Sequence, residues 1–398
     1  MRVVQSVHDF LATECPHIHA ARLNALMTNV SALMRGRKLT VTGLGRAPGR
    51  HRNTKHDIKQ SDRLIGNRQL MQERAALYLA VAQRLLAPIA QPIILIDWSD
   101  YTHNRSHILL RASVPVGGRA LTLYEEVHPL SAYGNAAVQR AFLDTLSRFV
   151  EPRVQPVVVT DAGFIGPWFA EVRRLGWHFV GRIRKNILYR IAQTTEWQRC
   201  VELYPLATSS PQTIGLIELT RKNPLDCTLH ILKKKPKGRH RLTASGKRAR
   251  RKTSQDHVTR ETQPWLIVTS LDPVLYQAKQ VMQFYRTRMQ IELAFRDIKN
   301  IRDGLALRET RSCNDQRLAN LLLVGMLAHF CLWLIGRLAK ARRMHYRLQA
   351  NTERHSNVLS LFFIALQLVT QRRVPRGEHC FKQALALIHQ DILHQMKL

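Results

Sequence analysis

Two short runs constrain the fold of this chain most strongly: Pro92-Ile-Ile-Leu-Ile-Asp97 and Pro156-Val-Val-Val-Thr-Asp161. Each is a proline-led, mostly apolar stretch that closes on an aspartate. A strand without polar alternation must be covered on both faces, so each run belongs inside a sheet. The aspartate then stands at the strand's C-terminal end. Ile108–Val114 and Ala120–Val127 are further β-branched or alternating runs, separated by the turn Pro115-Val-Gly-Gly. With the first run they predict an antiparallel meander.

A helix over about 135–150 is expected next, then the Asp161 strand, a helix over 164–175 and a strand over 178–183. That order matches a ribonuclease-H-like mixed sheet better than a doubly wound one. The predicted class is therefore multidomain α+β: a ribonuclease-H-like mixed sheet, interrupted by a β-rich insertion and flanked by helical N- and C-terminal regions. Residues 1–90 read as helical, with Leu23, Leu26, Val30 and Leu33 at helical spacing. The core occupies 91–184 and 262–340, around an insertion at 185–261 that contains a hairpin of Ile214–Thr220 and Cys227–Lys233. Trp265 opens a strand, Pro273 precedes one long helix through Lys299, and residues 316–340 form a very apolar helix. Residues 341–398 are helical again.

The charge balance selects the partner. Lys and Arg number 61 against 28 Asp and Glu, a formal charge of +33, and such a field favours a polyanion with salt-sensitive binding. An apolar content of 45% indicates an ordered globular protein and argues against a nucleoid packing protein. Between Arg35 and Arg74 there are 11 basic residues and three acidic ones; with turn–helix alternation, this marks 1–90 as a duplex-binding head. Lys233–Lys252 holds 11 basic residues and no acidic one, which suits a mobile basic loop lying over DNA. Six scattered cysteines without a CxxC pair argue against a zinc ribbon and a disulfide framework. His17 and His19 read as ordinary residues near a helix start. The N-terminus lacks a signal-peptide pattern, and Leu318–Ile335 reads as a buried helix and not a membrane span. A soluble protein of the bacterial cytoplasm, associated with the nucleoid and not with a membrane, is expected.

Chemistry concentrates late in the chain. Tyr285, Arg288, Glu292 and Lys299 are spaced Tyr-x2-Arg-x3-Glu-x6-Lys. On one continuous helix they fall near about 0°, −60°, −20° and −40°, a single narrow stripe. Phosphodiester cleavage needs an activated oxygen nucleophile, charge neutralisation at phosphorus and a stabilised leaving oxygen. Two Mg2+ ions, or Mn2+, supply these, and hard cations take carboxylate ligands. Asp97, Asp161 and Glu292 are the candidate catalytic, metal-holding triad. Arg288 and Lys299 would hold phosphates and Tyr285 would bond phosphate while packing on a sugar or base. Asp100, Glu125, Glu126 and Asp297 are rival ligands; Asp297 should face away from the stripe. A purely structural stripe, with Glu292 in an ion pair, is the alternative on the helix alone.

Asp97-Trp-Ser-Asp, Arg111-Ala-Ser-Val, Leu123-Tyr-Glu, Asp161-Ala-Gly-Phe and the Tyr285–Lys299 signature together carry a resemblance covering nearly the whole chain. The sequence resembles bacterial insertion-sequence transposases of the DDE cut-and-paste type, in insertion sequence family four. The resemblance implies a β-rich insertion between the second Asp and the Glu, which the 131-residue step from Asp161 to Glu292 accommodates. It implies Asp97, Asp161 and Glu292 as metal ligands. It further implies binding to terminal repeats of double-stranded DNA, excision through hairpinned ends, joining of 3′ ends to target DNA, and a homodimer in a synaptic complex. Hairpin formation needs a distorted terminus, and Trp265 matches the stacking tryptophan that would hold a flipped base. A second aromatic found after the signature arginine in some relatives is Met289 here. The competing functions are a ribonuclease-H-like nuclease without strand transfer and a non-catalytic regulator that occupies the ends.

Overall fold

The structure is a computed structural model, in which residues 1–49, 53–101, 106–234, 263–312, 314–355, 358–377 and 379–397 are described. Most of the basic loop at 233–252 lies outside them. The chain divides into two compact units, one of residues 1–154 and 289–397, the other of residues 155–288.

The first unit begins with helices α1 (Arg2–Glu14), α2 (Ala20–Gly36), α3 (Val41–Gly45), α4 (Thr54–Ile65) and α5 (Arg68–Leu86). Their starts follow side-chain caps: Thr40 Oγ1 accepts from Gly43 N–H, and Asn67 Oδ1 accepts from Leu70 N–H. His19 has a comparable local task, its Nδ1 accepting from Ala21 N–H at the start of α2. The segment after Thr40 is the short helix α3.

Strands β1 (Ile93–Asp100), β2 (His107–Pro115) and β3 (Ala120–Pro129) form the expected antiparallel meander, with β2 in the middle. Helix α6 (Ala136–Ser147) follows, capped by Asn135.

The second unit contains β4 (Val157–Thr160), α7 (Gly166–Arg174), β5 (His178–Ile183), β6 (Leu188–Ile191), β7 (Gln198–Arg199), β8 (Gln212–Leu219), β9 (Leu225–Leu232), β10 (Trp265–Thr269) and helix α8 (Ala278–Thr287). Its strand order is β4-β5-β10-β9-β8-β6-β7. Only β4 and β5 pair in parallel; the other neighbours are antiparallel. The β8–β9 hairpin matches the one expected in the insertion. Helix α7 packs closely on β5, since a Cβ at Gly181 would lie 2.3 Å from the Phe169 ring.

The first unit resumes with α9 (Met289–Lys299), α10 (Asp315–Ala341), α11 (Leu361–Thr370) and α12 (Cys380–Met396). Helix α10 is long and apolar enough to cross a membrane by length and composition, but its apolar window is wholly buried in the protein. It packs against α2, α5, α11, α12 and β3. A side chain at Gly336 would collide with the Leu361 carbonyl at 2.2 Å, so glycine permits the close approach of α10 and α11. Mixed helices and strands in this order are consistent with a ribonuclease-H-like domain.

Candidate active site

Side chains alternate along β1, so Asp97 and Ser99 share a face. Asp97 is registered with Arg111 on β2, and Arg111 with Glu125 on β3. Cross-strand partners project to the same side. Asp97, Arg111 and Glu125 therefore form one row across the meander.

Helix α9 covers this face. Its Phe295 ring lies 4.6 Å from the Arg111 guanidinium, and Lys299 Nζ is hydrogen-bonded to Ser99 Oγ, two residues along the strand from Asp97. Two further contacts fix α9 to the β2–β3 turn: Gly117 N–H donates to Gln290 Oε1 at 3.1 Å, and Arg119 pairs with Asp297 at 2.6 Å. Glu292 lies one turn before Phe295 and two before Lys299, on their stripe, and is exposed. The first unit thus brings Asp97 and the helix bearing Glu292 onto one sheet face.

Lys299 is only 9% exposed. Burial pulls its ammonium down to about 8, opposed by Asp100 (3.6 Å away) and assisted by Arg308 and Arg111. Burial drives the Asp297 carboxyl the other way, above its ordinary value, with Arg119 opposing. Among the rival ligands, Glu125 accepts from Arg111 and Tyr78, Glu126 from Tyr124 and is paired with His128, and Asp297 is taken by Arg119.

Asp161 belongs to the second unit, just past β4. Its Oδ1 accepts from Gly163 N–H at 2.8 Å, so the carboxylate organises the turn before α7. Among the described residues, no group of three or more His, Cys, Asp and Glu side chains is gathered to hold a metal ion. The chemistry of Asp97, Asp161 and Glu292, all hard oxygen donors, suits Mg2+ or Mn2+.

The signature helix departs from expectation. Residues 278–299 form two helices, not one, with Arg288 as a turn between them. Arg288 keeps right-handed helical dihedrals (φ −49°, ψ −36°), so the interruption lies in the hydrogen-bond ladder: Thr287 Oγ1 donates to the Phe284 carbonyl at 2.6 Å, the acceptor an uninterrupted helix would offer to Arg288 N–H. Arg288 N–H bonds Tyr285 O instead. The stripe is divided accordingly, Tyr285 and Arg288 in the second unit and Glu292 and Lys299 in the first. Tyr285, at 3% exposed, and Lys299, at 9%, are buried, whereas Glu292 is exposed.

In the second unit, Tyr285 meets Trp265 edge-on, with ring centroids 4.8 Å apart, and the Arg288 guanidinium lies 5.9 Å from the Tyr285 ring. Trp265 is half-buried, and Lys234 Nζ stands 3.5 Å from its ring centroid. Arg182 on β5 is buried beside Tyr285. Burial lowers its guanidinium to about 10, with Tyr285 opposing. Its Nη2 donates to the carbonyls of Gln263 and Pro264, while Nε has no hydrogen-bond partner among the described residues.

The sequence offered Glu125 only as a rival ligand and Arg111 only as part of a motif, and it gave Arg182 no role; none was read as a site-building residue. The signal was a lone charge at a position where the strand pattern demands an apolar side chain, on adjacent strands of opposite sign in the first two cases.

The sequence model of the transposase DDE domain family matches residues 90–331. No curated protein matches the chain.

Proposed function

The chain belongs to the transposase DDE domain family, and from that premise we propose that it binds the terminal repeats of its own insertion sequence, excises the element by metal-dependent cleavage through hairpinned ends, and joins the 3′ ends to target DNA. The finer placement in insertion sequence family four is part of this proposal. The observation that supports it most is the Asp97 face of the meander, covered by the helix that carries Glu292 and tied to it through Lys299 and Ser99.

In this reading Asp97, Asp161 and Glu292 would hold Mg2+ or Mn2+. When bound, such ions lower the pKa of a hydroxyl and neutralise charge at phosphorus. Arg288 presents a fork suited to a backbone phosphate, and Lys299 a point charge beside the cleavage face. Burial lowers the Lys299 ammonium to about 8, so it releases its proton more readily than a surface lysine. Trp265 would stack on a displaced base. Lys234 already occupies a place over its ring, so a base must use the other face or displace the ammonium. A homodimer pairing two ends in synapsis, with the +33 charge neutralising DNA, completes the proposal.

Joining separates this function from its competitors. Pre-cut ends with free 3′-hydroxyls should be inserted into a supercoiled plasmid in Mg2+. Cleavage without joining would identify a nuclease, and end binding without either reaction a regulator.

A further inference from the structure

Beneath Asp97 lies a charged network to which the proposed reaction assigns no task. Arg111 is 1% exposed. Its Nε and Nη2 both approach one oxygen of Glu125, Oε2, at 2.7 and 2.6 Å. The other oxygen, Oε1, accepts from the Tyr78 hydroxyl at 2.7 Å. Phe295 of α9 roofs the guanidinium, and Nη1 is buried without a hydrogen-bond acceptor among the described residues.

Arg111 has two carboxylate neighbours in its row, Asp97 on one side and Glu125 on the other. Directly opposed Cβ atoms lie about 4.5–5.5 Å apart, so a long side chain reaches either. A buried cation with unused donors binds the carboxylate it can reach, because leaving it unpaired is costly. Glu125 is itself held by Tyr78, and its position is fixed from outside the row.

We infer that Glu125 is a positioning residue for Asp97: it fixes the Arg111 guanidinium so that the cation does not compete with a divalent metal ion for the Asp97 carboxylate. The inference rests on the reading of Asp97 as a metal ligand. Arg111 retains a second task, as the floor on which Phe295, and with it the Glu292 helix, is seated. A polar pair in a buried strand row then serves the site without touching DNA or the reacting atoms.

Glu125→Gln keeps the shape of the side chain and removes its charge, freeing Arg111 to pair with Asp97. Mn2+ titrated into the full-length protein, followed by the loss of free-Mn2+ electron-spin signal, should show affinity weakened at least about tenfold, the effect of one uncompensated charge at this distance. The Mn2+ concentration for half-maximal cleavage should rise in parallel, with end binding and melting cooperativity retained. Arg111→Met combined with Glu125→Gln removes the competing cation and should restore affinity to within about threefold of wild type. Glu125→Gln binding Mn2+ as wild type does, and needing no more of it for cleavage, overturns the inference. If Glu125→Gln does not fold, Arg111→Lys provides the same test, since it keeps the charge and loses the fork. Asp97→Asn separates the two claims: unchanged Mn2+ binding there would sink the ligand reading itself, whereas loss there with an indifferent Glu125→Gln sinks only the role of Glu125.

Discussion

The two units bury arginine in opposite ways. In the first, Arg111 is paired with Glu125, which is held in turn by Tyr78, and Arg119 is paired with Asp297. In the second, Arg182 is buried to 5% exposure against backbone carbonyls and Tyr285, and Lys234 faces a tryptophan ring. Local neutrality leaves the Asp97 face with net carboxylate character, suited to a divalent cation. A cation satisfied by neutral oxygens keeps its positive field, suited to a phosphate or base. The difference teaches that one very basic chain can bury arginine with a carboxylate in one unit and with neutral oxygens in the other, and the proposed metal site falls on the carboxylate-paired side.

The comparison is broken most severely at the carboxylates. Asp97→Ala and Glu292→Gln should each reduce excision by on the order of 1000-fold or more while leaving end binding intact. Gel shift and plasmid cleavage on the same preparations check this.

Arg111→Met should then cost roughly 3–5 kcal/mol of stability, because it strands Glu125 in the core. Arg182→Met should cost far less, or stabilise, since it strands no buried carboxylate; chemical denaturation of both variants measures the contrast. Equal losses would erase the distinction between the units.

Smaller effects follow in the second unit. Trp265→Ala should slow hairpin formation about tenfold, a stacking-sized loss, with end binding little changed. A fall in melting temperature without any change in hairpin yield would instead make Trp265 a core aromatic packed on Tyr285.

A separate effect is the pH dependence of Lys299. Its folded pKa, about 8, lies below the ordinary 10.5, so between those values the unfolded chain binds more protons than the folded one. Stability from this group therefore rises with pH across that window, and the burial penalty is fully present below it. Lys299→Met should be more stable than wild type at pH 7 by about 3 kcal/mol, and the gap should narrow toward pH 10 in parallel thermal melts. A constant gap would mean that Lys299 is not held in its buried, depressed state.

Much of the architecture was legible in the chain. The apolar runs leading to Asp97 and Asp161 are strands, because burial on both faces leaves its pattern in every residue. Asp97, expected at the strand's end, lies within β1, which continues to Asp100 through residues that are paired with β2. The helix at 316–340 was equally plain for the same reason. The division of Tyr285–Lys299 was not legible, since it turns on one Thr287 hydroxyl taking a backbone acceptor, and threonine is common inside helices. Spacing on an ideal wheel could place Glu292 near Phe295 and Lys299, but it could not show that Tyr285 faces inward. The pairing of Arg111 with Glu125 lay equally out of reach, because which strand positions oppose one another is a matter of register and not of order along the chain.

The most direct test is excision from a supercoiled plasmid carrying the native ends, comparing wild type, Asp97→Ala and Glu292→Gln in Mg2+ and in EDTA. Hairpinned, excised element from wild type in Mg2+ alone, with both variants bound to the ends but inert, is the predicted result. Excision that survives either substitution, or that proceeds in EDTA, would contradict a metal-dependent reaction centred on the Asp97 face.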